Sequence, residues 1–258
     1  MHRSPLHVLV ARAAAVLALS GCETMKTVDT NGLMGAGGTA FKAMSLSDGD
    51  VVAMSDQSCA AMDKKNEIAA PGSKYAKRLD EVVKSMPSSV NGKAANYKVY
   101  LTRDVNAWAM ANGCIRVYSG LMDLMNDDEL RGVVGHEIGH VALGHSKSRM
   151  QMAYATSAAR GLAAASGNAM VKTLSESQAA DLAETFIHAQ YSQANESAAD
   201  DYSFDLLKER KLERKGLVTA FQKLAKLSDG KERNSLMSSH PPSTERAARM
   251  QKRLDEKS

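Results

Sequence analysis

Cysteine is scarce, with 3 in 258 residues, and no two of them stand at the CxxC spacing of a zinc ribbon or a redox pair. A cysteine-ligated metal site is therefore excluded. Long apolar runs are missing as well. The stretch Ala13 to Leu19 is too short to cross a bilayer as a helix. The alanine-rich segment MAYATSAARGLAAASGNAMV, residues 152–171, is interrupted by Arg160, Gly161, Ser166, Gly167 and Asn168, which argues against a membrane span. It reads instead as a small-residue packing helix or a mobile cover. Charge of one sign is also lacking. The formal net charge is +4 and only 5% of residues are aromatic, so no basic stripe with interleaved aromatics forms, and a nucleic-acid partner is not indicated.

What is present begins with an export-like N-terminus. Arg3 and Arg12 precede the short apolar core, and LSGC follows at 19–22, the order of a secretory signal. The LSGC end resembles the bacterial lipobox, which implies cleavage before Cys22 and lipidation of that residue. The expected organisation is a signal segment at 1–21, a Gly-rich tether at 22–46 and one domain at 47–258, long enough for a sizeable core. With Glu23 and not Asp after Cys22, analogy with lipoprotein sorting places the chain at the outer membrane, facing the periplasm. The alternative is an unmodified structural cysteine. Cys59 and Cys114 would then be the remaining thiols. In an oxidising compartment such a pair is usually a bridge, and two buried free thiols are the other reading.

Along the domain, SLSDGD supplies a helix start with Ser47 as cap and Asp50 three residues on, and PGS at 71–73 ends that helix. A second helix runs from about Lys74 to Ser85, before Pro87 and a turn at Asn91-Gly92. NYKVYLTR, NAWAMA and CIRVYSG read as strands, the last two joined through Asn112-Gly113. After the cap at Asn126-Asp127 the chain reads as helical almost to its end, with breaks near Gly167, Ser192, Gly230 and Pro241-Pro242. The expected class is α+β, mainly α.

The chemistry concentrates in VVGHEIGHVALGH, residues 133–145. Four residues on an α-helix leave a net rotation of about 40° and a rise of about 6 Å, so His136 and His140 share a face and can converge on one ion. Glu137 lies on the same side, within reach of a water at that ion. His145, nine positions after His136, is rotated about 180° away on a continuous helix and reads as a helix-end histidine near the C-terminal dipole. Gly132, Gly135 and Gly139 each cost about 1 kcal/mol relative to Ala in a helix interior, which suggests that another element must approach closely. A catalytic zinc takes three protein ligands and keeps one position open. Candidates for the third are Glu184, His188, Glu196, Asp200, Asp201 and Glu209. The segment NESAADDYSFDLL stands out because Glu196 and Asp200 share a helix face, with the small residues Ser197, Ala198 and Ala199 between them.

HExxH followed by a downstream ExxxD helix is the gluzincin arrangement, and the chain resembles the HtpX and CaaX-prenyl-protease group of zinc peptidases. Within that group it is similar to outer-membrane lipoprotein metalloproteases. The resemblance runs through nearly the whole mature chain, including NYKVY, DVNAWAMANGCIRVYSGLMD, HEIGHVALGH, ESAADDYSFDLL and HPPSTERA. It implies a minimal gluzincin fold with an HExxH helix, a small, mostly antiparallel sheet with a cleft-lining edge strand, and C-terminal helices. It further implies one Zn2+ per chain held by His136, His140 and Glu196, with Glu137 as general base and Asp200 behind the ligands. Asn106, Ala107, Trp108 and Ala109 resemble the edge strand that holds an extended peptide, with Trp108 where relatives often have Phe. His240 and Arg246, in SSHPPSTERAARM, would stand near the cleft. His240 would stabilise an oxyanion or occupy zinc's open position; on the residues alone it reads equally well as an exposed histidine before a proline turn.

The resemblance implies a zinc endopeptidase whose partners are unfolded envelope proteins, the membrane through lipid on Cys22, and other envelope proteases or assembly factors. Two other classes share these features: a non-cutting chaperone or scaffold lipoprotein in outer-membrane assembly, and a zinc amidase acting on cell-wall peptides. The intact His136, Glu137, His140 and Glu196 set argues against the first.

Overall fold

A computed structural model describes residues 43–160, 174–228, 239–240 and 244–256. Cys22, the signal segment, most of the tether, the far half of the alanine-rich segment and Pro241-Pro242 lie outside them. Among the described residues there are nine helices and five short strands, and no helix is long and apolar enough to cross a membrane.

The first helix, α1 (Asp48–Lys65), begins where the sequence places it. Ser47 accepts from the Asp50 N–H and the Asp50 carboxylate accepts from the Ser47 N–H, so two end donors are satisfied reciprocally. Acidic residues occupy its first turn and Lys64 and Lys65 its last, both favourable to the helix dipole. After Ser73, a side-chain cap, α2 spans Lys74–Val83. A two-residue hairpin, β1 (Ser89–Val90) with β2 (Lys93–Ala94), then turns through Asn91 and Gly92, both at positive φ (49° and 74°). The sequence suggests the turn but not the strands, which are too short to show a period.

Three further strands, β3 (Asn96–Tyr100), β4 (Ala107–Ala109) and β5 (Cys114–Tyr118), form a sheet in the order β3-β5-β4. β4 pairs with β5 antiparallel and lies at an edge, whereas β3 runs parallel to β5. This sheet is therefore mixed, with β3-β5 parallel and β4-β5 antiparallel, and the antiparallel β1-β2 pair stands apart from it. Alternation along the strands divides the core in two. Val99, Ala107, Ala109, Ile115 and Val117 face one apolar cluster; Tyr100, Trp108, Met110, Cys114 and Tyr118 face the other. Both faces are thus buried, as period-two geometry allows only when each is covered.

Helices supply that covering. α3 (Ser119–Leu124) leads into α4 (Asp127–Ala142), which lies against β4, and α5 (His145–Ala159) and α6 (Glu176–His188) follow. α7 (Gln193–Glu209) and α8 (Lys215–Ser228) pack on α4, and α9 (Thr244–Asp255) closes over α7 and α8. On the opposite side of the sheet, α1 packs against α6 and is tied to β5 by the disulfide Cys59–Cys114. Beside that bond, Asp63 of α1 receives Arg116 Nε at 2.8 Å and Nη2 at 2.9 Å, Lys98 Nζ at 2.7 Å and the Tyr100 hydroxyl at 2.8 Å. Burial raises the Asp63 pKa, but these donors more than offset it and hold the carboxyl below its usual range.

Candidate metal centre

The helix carrying the histidine pair is built to be held tightly. Asn126 caps α4 and Glu129 completes a capping box, and Lys223 of α8 reaches the same Glu129 carboxylate at 2.6 Å. The glycines have the reason the sequence suggests. A Cβ on Gly132 would stand 2.8 Å from the Leu217 Cα of α8, one on Gly135 would stand 2.6 Å from Ser203 Oγ of α7, and one on Gly139 would stand 3.1 Å from the Ala199 carbonyl oxygen. Ser203 Oγ also donates to the Gly132 carbonyl at 2.8 Å. Two backbones therefore meet along this stripe, which brings Glu196 to the histidines.

The approach gathers four side chains. His136 Nε2 and His140 Nε2 are 3.0 Å apart. Glu196 Oε1 lies 3.3 Å from His140 Nε2 and 2.9 Å from His240 Nδ1, and His240 Nδ1 lies 3.3 Å from His136 Nε2. All four residues are at least 95% buried, and one donor atom from each lies within 4.8 Å of the others. Zinc–nitrogen and zinc–oxygen bonds of about 2.0–2.1 Å in a tetrahedron space the ligand atoms about 3.3 Å apart. The donors present fit one such ion, and imidazole with carboxylate is a set zinc favours. Orphaned polar atoms point the same way: Glu137 Oε1 and His240 Nε2 are buried 3.5 Å apart, and neither makes a hydrogen bond.

Behind the four lies a second row of charge. His136 Nδ1 is 2.9 Å from Asp200 Oδ1, one helical turn beyond Glu196, as the ExxxD spacing anticipates. Arg246 of α9 clamps Asp200 with Nε at 2.9 Å and Nη2 at 2.6 Å, places Nη1 2.5 Å from Glu196 Oε2 and lays its guanidinium over the Phe221 ring. It thus touches the carboxylates from behind. Burial lowers the basicity of His136, but the Glu196 and Asp200 charges outweigh it and raise its pKa. For His140 burial prevails and the pKa falls well below the ordinary value. The Glu196 carboxyl is held low because His240 and His136 outweigh its burial. Burial pushes the Glu137 carboxyl up, the direction expected of a general base poised to exchange a proton.

One expectation is overturned. α4 ends at Ala142, Gly144 takes φ +75°, and His145 opens the next helix. It is not a helix-end residue pointing away, because the left-handed glycine redirects the chain and brings His145 Nδ1 to 3.1 Å from His140 Nδ1. Sequence reasoning also misses Tyr191, whose ring stacks on His140 at 3.7 Å with an interplanar angle of 12°. Its N–H donates to the Ser239 carbonyl, seating the residue before His240, while Arg149 lies over the same ring. The available signal is positional: Tyr191 directly precedes the Ser192 cap of α7, where a hydrophobic residue commonly anchors a helix entry.

The segment Asn106 to Ala109 supplies an edge strand over Ala107–Ala109. Tyr118 N–H donates to Asn106 O and Met110 N–H to Cys114 O, so even-numbered residues pair with β5. The Ala107 and Ala109 backbone groups point away from β5; both residues are buried, and Ser146 Oγ donates to the Ala109 carbonyl. Trp108 sits with its ring in the cluster on the far face.

An HExxH helix, a glutamate from a second helix and a flanking edge strand define a zinc metallopeptidase of the gluzincin kind. Peptidase family M48 matches residues 73–254, and the chain belongs to that family. It is 52% identical to the metalloprotease YcaL and 51% identical to the metalloprotease LoiP, both of Escherichia coli strain K12, each match covering 96% of both chains. The protease HtpX of Glaesserella parasuis is 32% identical over 81 residues, 30% of this chain and 29% of that one.

Proposed function

We propose that this metallopeptidase is an endopeptidase for unfolded or misassembled envelope proteins, tethered by lipid on Cys22 to the periplasmic face of the outer membrane. The edge of β4 carries this reading. The Ala107 and Ala109 backbone groups face away from β5 and are buried, so an extended peptide added there as a further strand would first have to uncover them; such pairing selects for unfolded backbone more than for side chains. Asn106 supports it, because its buried side-chain amide has no hydrogen-bond partner.

His136, His140 and Glu196 would hold the zinc. When bound, zinc supplies Lewis acidity, which acidifies water to a pKa of about 7 and polarises a carbonyl. Glu137 takes the water proton on Oε1 and returns it to the leaving amine. His136 is oriented by Asp200, and Arg246 holds the Asp200 and Glu196 carboxylates in place from behind. His240, whose Nδ1 stands within the donor set, would be a further donor to the zinc at rest.

The test is incubation of the mature chain with unfolded casein and with peptidoglycan, each with and without chelator. Chelator-sensitive casein cleavage is expected. Cleavage of peptidoglycan alone would make the enzyme an amidase, and binding of casein without cleavage would make it a chaperone. Fractionation of cells expressing the chain with Cys22→Ala tests the anchor, which predicts release from the membrane.

A further inference from the structure

A neutral imidazole that gives one nitrogen lone pair to a metal carries its hydrogen on the other nitrogen, and whatever accepts that hydrogen fixes the tautomer and the ring orientation. Beside His136 Nδ1 that place is taken by the Asp200 carboxylate, 2.9 Å away. His140 presents Nε2 to Glu196 and His136, so its Nδ1 must be the N–H. Asp200 does not reach it. The Tyr191 ring lies flat against the imidazole face and offers no acceptor in the ring plane. His145 Nδ1, at 3.1 Å, does.

Resting on the assignment of His140 as a zinc ligand, we infer that His145 is a positioning residue for it. His145 is neutral, carries its own hydrogen on Nε2, and accepts the His140 Nδ1–H, so that the lone pair of His140 Nε2 faces the ion. The two histidine ligands are therefore held differently, one by a carboxylate and the other by an uncharged ring. Gly144 makes this possible: only after its left-handed turn does a residue five positions beyond His140 fold back onto it. Tyr191 adds the second restraint, closing the ring face that His145 leaves open.

The test compares zinc affinity, by competition with a chromophoric chelator at about pH 8, in the full chain and in His145→Asn, His145→Leu and His140→Ala. Asn can place a carbonyl oxygen where Nδ1 stands, whereas Leu has the same size and no acceptor. Loss of a partner of this kind typically weakens metal binding by about 10–100-fold. Leu is expected to show that loss and Asn to recover most of it, with the thermal midpoint of the metal-free protein alike in both. Equal affinity in the Leu variant and the unchanged chain, or equal losses in Leu and Asn, would overturn the inference. Full zinc binding by His140→Ala would instead remove the ligand assignment on which it rests.

Discussion

At the scale of single residues, the centre separates binding the metal from moving the proton. Glu137 stands outside the ring of close contacts among His136, His140, Glu196 and His240, so Glu137→Gln is expected to keep stoichiometric zinc and to lose about 10²–10⁴-fold in kcat. Metal content and casein turnover, measured on the same preparation, check this. His240 is a different case, because its Nδ1 sits among the donors. His240→Ala should weaken zinc binding without lowering turnover at saturating zinc. Unchanged affinity with turnover reduced by about 10²–10³-fold would assign His240 to the oxyanion instead. The sequence alone leaves both options open and reads equally well as an exposed histidine, since a histidine before two prolines carries no period and no partner.

At the scale of elements, the stripe of glycines on α4 is the feature most legible in advance. Three helix-weakening residues on one helix need a reason, and the backbones of α7 and α8 provide it. Gly132→Ala improves helix propensity by about 1 kcal/mol but drives a methyl group to 2.8 Å from the Leu217 Cα. Overpacking of that kind costs about 1–3 kcal/mol, so net destabilisation is expected in urea unfolding as α8 is pushed away from α4. The pairing of Glu196 with Asp200 is equally legible, because a four-residue spacing on a helix fixes a shared face. The α4–α5 break was not. A single glycine inside an apolar run reads as one more packing glycine, and only its positive φ shows that the helix stops there.

At the scale of the whole molecule, the sheet is held to α1 by a covalent bond and a charge cluster side by side. The chain-entropy view of the Cys59–Cys114 crosslink, whose cysteines are 55 positions apart, gives about 4 kcal/mol. Urea unfolding with and without reductant should show a loss of that order. Asp63→Asn leaves the guanidinium of Arg116, 1% exposed, without its carboxylate, and should cost about 2–4 kcal/mol. The sign of the pH dependence follows from the lowered Asp63 pKa. Its contribution is fully present above the unfolded value of about 4 and is lost as pH falls through the folded value. The variant should therefore differ most from the parent near neutrality, with the gap narrowing in acid. Arg116 was unreadable as a core residue because a charged side chain within an alternating strand normally marks the solvent face.

The sequence by itself determined the helix caps, the shared face of His136 and His140, the shared face of Glu196 and Asp200, and the need for something to press on the glycines of α4. Each is a local consequence of 3.6 residues per turn or of a side chain reaching its own backbone, and needs no distant partner. Tertiary structure alone decided that Glu196 and His240 complete the donor set, that Arg246 braces the carboxylates, that Tyr191 and His145 take the remaining face and edge of His140, and which backbone groups of β4 face away from β5. These depend on which surfaces meet when two apolar clusters close on either face of one small sheet, and no spacing along the chain encodes that choice.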